Sequence, residues 1–365
     1  MSHRFGTTLV RMAAGLLLTL AWAGLGTTAF ASEAKHHVIT VMTQNMFQGS
    51  ELGEVITAQT LQQFLSAVTT DFQQVQASRV SERTAAMARE IANNTPDLVG
   101  LQEAALWQTG PIFQPPATNV AFDLIQTLVD QLAALGLTYV PVVVTNNTDV
   151  EAPSTLGIDV RFTDRVAILA RTGSGHDLAL SNPQHQNFVA RLVLNTAAGP
   201  VVVTDGWASV DASDGFTQFR FVTTHLSGIA PPIQVLEGNE LLAGPANTSL
   251  PVIVTGDFNS SATPGGVDAT PTYANMVAGG LQDAWAVVSP GDPGLTCCQR
   301  VPDLLNPTST LSERIDFVFE HGAIRPLEAH LVGASQQDRT PSGLWPSDHA
   351  GIAASLKLRP NEGET

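Results

Sequence analysis

Polar side chains that could act on a phosphate or a water follow a short apolar run near the middle of the chain. The run at residues 252–255 ends at Gly256, after which come Asp257 and, two residues later, Asn259. Alternate residues of an extended segment point the same way, so the Asp257 carboxylate and the Asn259 amide can face one ligand. Gly256 allows another backbone or a ligand to approach closely. In isolation this motif is equally typical of an Asx-rich turn.

Further polar residues stand at or next to predicted strand ends elsewhere in the chain: Asn45, Glu103, His225, Asp316, Asp348 and His349. Carboxylate and amide oxygens are ligands for hard divalent cations such as Mg²⁺. A histidine beside an aspartate suits general acid–base catalysis. Each residue alone is weak evidence, so their common order along the chain matters more than any one of them.

The elements that must position these residues follow from hydrophobic periodicity. Apolar spacing over residues 54–93 predicts two helices broken near Ala77, and another helix is expected at residues 121–135. Strands are predicted at residues 37–45, 97–103, 139–144, 165–171, 188–194, 201–204, 219–224, 252–255, 314–319 and 351–358. Residues 110–118 and 146–164 are expected to be loops. The frequent short strands indicate sheets with many antiparallel pairs, and nothing marks an internal domain boundary.

The order and setting of the motifs resemble the endonuclease/exonuclease/phosphatase superfamily, which includes pancreatic-type deoxyribonucleases, abasic-site endonucleases, bacterial sphingomyelinases and inositol-polyphosphate phosphatases. After Asn45 come Gln-Glu-Ala at 102–104, Thr-His-Leu at 224–226, Gly-Asp-Phe-Asn at 256–259, Arg-Ile-Asp-Phe-Val-Phe at 314–319 and Ser-Asp-His at 347–349. The resemblance spans about residues 37–358. It implies a deoxyribonuclease-I-like α/β fold, a four-layer α-β-β-α sandwich with two mainly antiparallel sheets.

The resemblance implies a metal site. Glu103 would be the principal Mg²⁺ ligand, and Asn45 beside it would orient the metal or a phosphate oxygen. Asp348 would add a second metal or water contact. Oxygen ligands also accept Mn²⁺ or Ca²⁺, so the sequence leaves the choice of metal open.

The resemblance also implies catalytic roles. Asp257 would position or activate the attacking water, and Asn259 would hold that water or a phosphate oxygen. His225 would donate a hydrogen bond to the phosphoryl group. His349 would be the C-terminal catalytic histidine, with Asp316 as its carboxylate partner. The implied reaction is in-line attack of water on a phosphate ester.

A charged pair, Asp164 and Arg165, is expected at the rim of the cleft by the same resemblance. The helix-rich stretch 54–77 departs from the compact family pattern, and it is expected either to cover the cleft or to hold a small substrate.

The N-terminus predicts export. Arg4 and Arg11 precede an apolar run at residues 12–25, and Ala29-Phe30-Ala31 fits a signal-peptidase site, so cleavage is expected after Ala31. The predicted organisation is a signal peptide at 1–31, a catalytic domain at 32–358 and a disordered tail at 359–365. The expected location is secreted or periplasmic, with an uncleaved anchor as the alternative. No later stretch approaches the roughly 20 apolar residues of a membrane-spanning helix.

Cysteine usage adds one local question. The chain has two cysteines, Cys297 and Cys298, which are adjacent. In an oxidising compartment they can form a vicinal disulfide, and two free thiols are the alternative.

The substrate class is less determined than the chemistry. The formal net charge is −16 and no basic cluster is evident, which argues against tight polynucleotide binding but not against metal-assisted cleavage. The expected partner is a phosphate ester, either nucleic acid or a phospholipid head group. An extracellular nuclease is slightly favoured over a sphingomyelinase-like phosphodiesterase. A phosphomonoesterase of the same fold and a non-catalytic binding module are the remaining alternatives.

Overall fold

The computed structural model describes residues 37–175 and 177–359. The predicted signal peptide lies outside the described residues, as does most of the predicted tail. Arg359, the first tail residue, donates its backbone N–H to the carbonyl of Ala323 at 2.9 Å. Among the described residues, no helix is both long enough and apolar enough to cross a bilayer.

Sixteen strands and seven α-helices make up this part of the chain. The strands are β1 (His37–Asn45), β2 (Leu98–Gln102), β3 (Leu106–Pro111), β4 (Asn119–Asp123), β5 (Thr138–Pro153), β6 (Ile158–Thr172), β7 (Ala179–Asn187), β8 (Leu192–Thr196), β9 (Gly199–Val203), β10 (Gly206–Ser213), β11 (Gln218–His225), β12 (Val252–Asp257), β13 (Gln282–Asp283), β14 (Asp316–His321), β15 (Ile324–Val332) and β16 (Gly351–Leu358). The helices are α1 (Gly53–Thr57), α2 (Leu61–Ala77), α3 (Val80–Asn94), α4 (Leu124–Ala134), α5 (Pro231–Ala243), α6 (Pro271–Ala278) and α7 (Ala284–Val288), and a 3₁₀ turn spans Gln336–Asp338.

The strands form two large sheets and one hairpin. The first sheet has the order β15-β16-β1-β2-β6-β3-β4, with β5 also paired to β6, and the second has the order β13-β14-β12-β11-β10-β7. Strands β8 and β9 pair only with each other. The pairs β1–β2 and β11–β12 are parallel, whereas the other pairs of named strands are antiparallel. The predicted mainly antiparallel sheets are therefore confirmed.

Alternation along single strands produces the layers. In β1, Val41 packs into the cluster between the two sheets, whereas its neighbour Met42 packs against the helices outside the first sheet. In β12, Ile253 faces the other sheet and Val254 faces the α5–α6 side. Successive side chains of a strand point to opposite faces, so a strand with apolar side chains on both faces must be packed against other elements on both sides. The fold is thus the expected four-layer α-β-β-α sandwich.

The break between the first two long helices is close to its predicted position. Helix α2 begins after Thr60, whose hydroxyl accepts from the N–H of Gln63 in a capping box, and it ends at Ala77. Helix α3 begins at Val80, after Arg79 in a left-handed conformation with φ 51°. The short helix α1 before them was not predicted as a separate element.

The predicted loop at residues 146–164 is wrong, because most of this segment belongs to the long hairpin of β5 and β6. Val150 and Phe162 point to one face and pack at the edge of the helix-covered core. Asp164, two residues after Phe162 in β6, accepts a hydrogen bond from Asn147 Nδ2 at 2.8 Å. Such buried polar residues concealed the strand pattern, since they resemble loop composition until their partners are known.

Other boundaries also differ from the sequence expectations. The predicted strand at 188–194 is wrong in part: β7 ends at Asn187, and β8 begins at Leu192. Between them the N–H groups of Val189 and Ala190 donate to the Glu240 carboxylate. Part of the predicted loop at 110–118 is also strand, since β3 extends to Pro111. Helices α5 to α7 and strands β3, β4, β7, β10, β13 and β15 were not predicted.

Candidate active site

The polar strand ends converge at one edge of the two sheets. In the parallel pair β1–β2, Asn45 lies opposite Gln102, so Glu103 follows directly beside Asn45. In the second sheet, His225 is in register with Asp257. Strand topology therefore places side chains that are distant in sequence on one surface.

Asp316 and His349 join the same edge from the C-terminal third of the chain. Asp257 is in register with Asp316 on the antiparallel strand β14. His349 lies two residues before β16, which pairs with β1. Gly256 is required here, because a Cβ at this position, with φ 147°, would collide with the carbonyl oxygen of Thr224. The close backbone approach expected at Gly256 is confirmed.

Glu103 is held with its carboxylate directed toward the centre of the site. Its backbone is left-handed, with φ 48°, as the chain turns out of β2. Oε1 accepts from Asn45 Nδ2 at 3.0 Å, and Oε2 accepts from the N–H of Gln48 at 2.8 Å. A non-glycine residue at positive φ costs free energy and is often found at functional sites.

Asn45 connects Glu103 to Asp257. Its Nδ2 also donates to Asp257 Oδ2 at 3.0 Å, while its Oδ1 accepts from the N–H of Phe47 at 2.9 Å. Both ends of the buried amide are therefore used. Asn45 is placed to orient the two carboxylates, and its Nδ2 amide group rather than its oxygen faces them.

Asp257 lies between two imidazoles. Its Oδ2 is 3.6 Å from His225 Nε2 and 3.8 Å from His349 Nε2. Its Oδ1 accepts from the N–H of Asn259 at 2.9 Å, which fixes the carboxylate plane. Burial raises the pKa of Asp257, and the nearby Asp316 carboxylate raises it further. One carboxylate is thus positioned against two imidazoles that can carry protons.

His349 and Asp316 form a buried pair. His349 Nδ1 lies 2.9 Å from Asp316 Oδ2, and both side chains are almost fully buried. Burial lowers the pKa of His349, but the nearby carboxylates, first Asp316 and then Asp257, raise it well above its usual value. The pair places a proton on Nδ1 and leaves Nε2 directed at Asp257.

His225 is the second protonated imidazole. Burial lowers its pKa, but the surrounding carboxylates, beginning with Asp257 and Asp164, raise it to about 9. Asn259 Nδ2 lies 3.1 Å from His225 Nε2 and donates to the carbonyl of Leu226 at 2.9 Å. Because a protonated Nε2 cannot accept a hydrogen bond, the Asn259 amide is held by Leu226, and His225 Nε2 lies 3.6 Å from Asp257 Oδ2.

The carboxylates of the site fit a divalent cation. Burial raises the pKa of Asp348 to about 6, and the neighbouring Glu103 carboxylate contributes to this shift. Two further groups, Asp257 with Asp316 and His349, and Asp164 with Asp205 and His225, each have ligand atoms within 4.8 Å of one another. Desolvated oxygen donors that repel one another are stabilised by a hard cation.

Two acidic residues that the sequence analysis missed lie near His225. Burial raises the pKa of Asp205 to about 7, and burial together with the neighbouring Asp205 carboxylate raises that of Glu237 to about 8. Glu237 also accepts from the N–H of Ser227 at 2.7 Å. Asp205 had a detectable signal, since it follows the apolar run of β9 as Asp257 follows that of β12. Glu237, in the middle of α5, had none.

The expected charged pair at the cleft is wrong with respect to Arg165. Asp164 lines the cleft, but Arg165 points to the opposite face of β6, as successive strand residues do. The Arg165 guanidinium donates to the carbonyls of Ala104 and Ala105 and to Asp123 Oδ1, at 2.7, 3.1 and 2.6 Å. It therefore fixes the turn that follows Glu103.

Arg83 has a similar positioning role that the sequence analysis missed. Its fully buried guanidinium donates to the carbonyls of Met46, Phe47 and Pro346, at 2.7, 3.0 and 3.1 Å. Burial lowers its pKa to about 10. The signal was a cation on the apolar face of α3. Arg83 joins the loop after β1 to the segment that carries His349.

The adjacent cysteines lie beside the site. Cys297 and Cys298 form the disulfide that was one of the two expected states. Cys298 Sγ is 4.0 Å from His349 Nε2. The pair therefore lies directly beside the His349 imidazole.

A cavity of about 350 Å³, here called the cleft cavity, opens directly onto these residues. Glu103, His225, Asp257 and His349 line its inner end. Helices α1 and α2, which make up the predicted helical insertion, and the β8–β9 hairpin supply its outer walls. The insertion thus contributes to the cleft, as expected.

Comparison with known proteins agrees with this geometry. The model of the Endonuclease/Exonuclease/phosphatase family matches residues 63–349. A search of curated proteins finds no significant match. A family protein of known structure from Bacteroides thetaiotaomicron is 15% identical, with a TM-score of 0.56 over 89% of this chain and 99% of its own.

Two further structures show the same fold. D. rerio TDP2, complexed with a single-strand DNA product, is 14% identical, with a TM-score of 0.52 over 87% of this chain and 98% of its own. A Bacteroides thetaiotaomicron mannosyl-6-phosphatase is 16% identical, with a TM-score of 0.53 over 87% and 99%. At these identities the similarity establishes the fold and leaves the substrate open.

Proposed function

This chain belongs to the endonuclease/exonuclease/phosphatase family of metal-dependent phosphoester hydrolases, and we propose that it is a secreted phosphodiesterase that uses Mg²⁺. The observation that carries the reaction is the position of Asp257 between His225 and His349, 3.6 and 3.8 Å from their Nε2 atoms. A carboxylate flanked by two protonated imidazoles can orient a water toward a phosphoryl group whose oxygens the imidazoles contact.

The protein's own residues divide the work. Asp257 orients the attacking water and accepts its proton, and Asn259 holds the water or a phosphoryl oxygen. His349, protonated and fixed by Asp316, donates a hydrogen bond to the phosphoryl group from Nε2. His225 donates a second one from the opposite side of Asp257. Charge accumulating on the phosphoryl oxygens is thus met by donors that are already in place.

The metal would be held at the Glu103 side of the site. Glu103 and Asp348 supply carboxylate oxygens, and Asn45 keeps Glu103 in position through the hydrogen bond from Nδ2. When bound, a divalent cation supplies further stabilisation of charge on the phosphate oxygens. The all-oxygen donor set favours Mg²⁺ and also accepts Mn²⁺ or Ca²⁺.

The substrate candidates differ in how well the cleft suits them. The D. rerio neighbour binds a single-strand DNA product, and this supports a nuclease, the activity slightly favoured by the sequence. The net charge of −16 and the largely apolar walls of the cleft cavity favour a small phosphodiester instead. We therefore place a lipid-like or other small phosphodiester first and a nuclease second. A phosphomonoester, as for the mannosyl-6-phosphatase neighbour, comes third.

Secretion is proposed from the sequence of the N-terminus. The basic residues, the apolar run and the Ala29-Phe30-Ala31 site support export and cleavage after Ala31. N-terminal sequencing of the protein exported from an expressing bacterial cell tests this. A mature N-terminus at Ser32 is expected, and full-length protein retained in the cytoplasm would contradict it.

The central experiment compares the mature protein with His349→Ala and with His185→Ala, a matched control on the exposed face of β7. Each is assayed with Mg²⁺ and with chelator against double-stranded DNA, RNA, sphingomyelin, bis(p-nitrophenyl) phosphate and p-nitrophenyl phosphate. We expect metal-dependent hydrolysis of a diester that falls by roughly 10²–10⁴-fold in His349→Ala and is unchanged in the control. Failure of the folded wild-type protein to cleave any substrate would overturn the proposal and favour a binding module.

A further inference from the structure

We propose that the cleft cavity binds an apolar substituent of the substrate, so that this protein acts on small phosphate esters carrying an alkyl or aryl group. The inference rests on the proposed function, because it assigns the cavity to the same substrate whose phosphate the catalytic residues bind. It adds the chemical class of that substrate.

The walls of the cleft cavity are mostly apolar. Helices α1 and α2 contribute apolar side chains, strands β3 and β6 contribute aromatic rings, and β8 contributes from the opposite side. Representative lining residues are Val55, Phe64, Trp107, Phe162 and Leu194. A volume of about 350 Å³ lies at the lower end of the range for small-molecule sites, which suits one substituent rather than a polymer.

The apolar region is continuous with the catalytic centre. Glu103 and Trp107 both line the cleft cavity and both contact Gln48, whose N–H donates to Glu103 Oε2 at 2.8 Å and whose carbonyl accepts from Trp107 Nε1 at 2.9 Å. A phosphoryl group at Asp257 would therefore direct one of its ester substituents into the cavity. Hydrolysis at this site and burial of an apolar group are compatible in one bound molecule.

The charges around the cavity argue against a polyanion. Among the described residues that line it, none is Lys or Arg, whereas Glu51, Asp71 and Glu151 lie in its walls. Additional phosphates of a nucleic acid would face carboxylates at close range. A sugar would also lack partners over most of the apolar wall, and burying unpaired hydroxyls is unfavourable.

Two elements outside the main sheets close the cavity. Helix α1 contacts strand β8 across it, and β8 pairs only with β9. On β8, Leu194 faces the cavity, while the adjacent Val193 points away and is 55% exposed. This alternation provides a variant and a control at neighbouring positions on one strand.

The test uses methyl-, butyl- and hexylphosphonate, which carry a phosphoryl-like group but cannot be hydrolysed as esters. Binding to the wild-type protein is measured by calorimetry at fixed Mg²⁺. Each methylene that enters an apolar site should improve affinity by about fourfold. We expect butylphosphonate to bind at least tenfold more tightly than methylphosphonate. Equal affinities across the series would overturn the inference.

Variants locate the effect. Val55→Asn places an amide in the half-buried α1 wall, and Leu194→Trp fills the cavity from β8. Both variants should abolish the increase in affinity with alkyl chain length, while leaving the affinity for methylphosphonate within about twofold of that of the wild type. The control Val193→Asn should keep the full increase in affinity with chain length. The same full increase in both cavity variants would contradict the placement of the substituent in the cleft cavity, even if the wild type binds long chains more tightly.

The outcome separates this inference from the proposed function. Hydrolysis of phosphodiesters with no dependence of affinity on chain length would sustain the proposed function and overturn the substrate class. Dependence on chain length without any hydrolysis would sustain an apolar ligand site in a protein that is not a phosphodiesterase. Tighter binding of thymidine 5′-phosphate than of hexylphosphonate would overturn the substrate class in favour of nucleic acid.

Discussion

Asn45 and Asp257 are 212 positions apart in sequence, yet the Asn45 amide donates to the Asp257 carboxylate at 3.0 Å. Asn45 ends β1 in the first sheet, and Asp257 ends β12 in the second. This hydrogen bond therefore joins the two sheets within the active site. Because the same amide also donates to Glu103, the predicted metal ligand and the predicted water-orienting residue share one support.

Replacing this support should loosen the site. In Asn45→Ala the buried Asp257 carboxylate and the half-buried Glu103 carboxylate lose a common donor, and an unsatisfied buried acceptor costs about 1–3 kcal/mol. We expect the free energy of unfolding to fall by this amount in chelator and the apparent Mg²⁺ affinity to weaken. Urea denaturation and metal titration of activity measure both. The exposed Asn239→Ala on α5 should behave as wild type, and equal stability of the two variants would contradict the proposed support.

The alkaline limit of activity should depend on Asp205. The proposed function needs His225 in its protonated form, and the pKa of His225 is raised to about 9, in part by Asp205. Activity should therefore fall as pH rises through about 9. Asp205→Asn removes one of the negative charges that favour the imidazolium, so the pH at half-maximal kcat/KM should move to a lower value. The control is Asp130→Asn on the exposed face of α4. If the alkaline pH at half-maximal kcat/KM does not change in Asp205→Asn, His225 does not set the alkaline limit of activity.

Glu320 should make stability depend on pH. Its side chain is buried in β14, and burial raises its pKa from 4.5 to about 7. The native state therefore binds the proton more tightly than the unfolded state. Its contribution to stability is fully present below about pH 4.5 and is lost as pH rises through about 7.

The matching variant is Glu320→Gln, which cannot ionise. It should make the fall in stability between pH 5 and 8 less steep and gain about 2 kcal/mol in the free energy of unfolding at pH 8 relative to the wild type. Urea denaturation across this pH range measures the change. A variant curve parallel to that of the wild type would rule out Glu320 as its source.

Arg165 and Arg161 offer a comparison on one strand. Arg165 is buried, with its guanidinium on Asp123 and on the carbonyls after Glu103, whereas Arg161 forms a half-exposed pair with Asp149. Arg165→Met should lower the free energy of unfolding by about 2–4 kcal/mol, because it leaves buried carbonyls and a carboxylate without their donor. Arg161→Met should lower the free energy of unfolding by less than about 1 kcal/mol, and urea denaturation measures both changes.

The activity of these two variants carries a second test. If Arg165 fixes the turn after Glu103, its variant should also need a higher Mg²⁺ concentration for half-maximal activity. A purely structural role would lower stability without moving this concentration. Arg161→Met should leave the Mg²⁺ concentration for half-maximal activity unchanged.

The strand ends of the site could be predicted because they depend on local patterns. An apolar run followed by a polar residue predicts a side chain at the edge of a sheet, and this held for Asn45, Glu103 and Asp257. The family resemblance then supplied their common location. Asp205 carries the same local pattern after β9 but no family motif, which is why it was missed.

Other features depend on contacts that no local pattern contains. The β5–β6 hairpin was mistaken for a loop because Asn147 and Asp164 satisfy each other only after folding. Arg165 was placed in the cleft because the face of β6 that would be covered was unknown. The cleft cavity could not be predicted from the sequence, since apolar residues that line a cavity have the same composition and spacing as those that fill a core.

The separation of the cavity walls from the catalytic strands has a consequence for how this protein can change. The reacting side chains lie at the ends of strands in the two large sheets, whereas α1 and β8, which close the cavity, belong to neither sheet. Under the proposed assignment, substitutions in these two elements should alter which substituent fits without disturbing the residues proposed to act on phosphorus. Selection or directed evolution can therefore retune substrate preference while the hydrolytic step is retained.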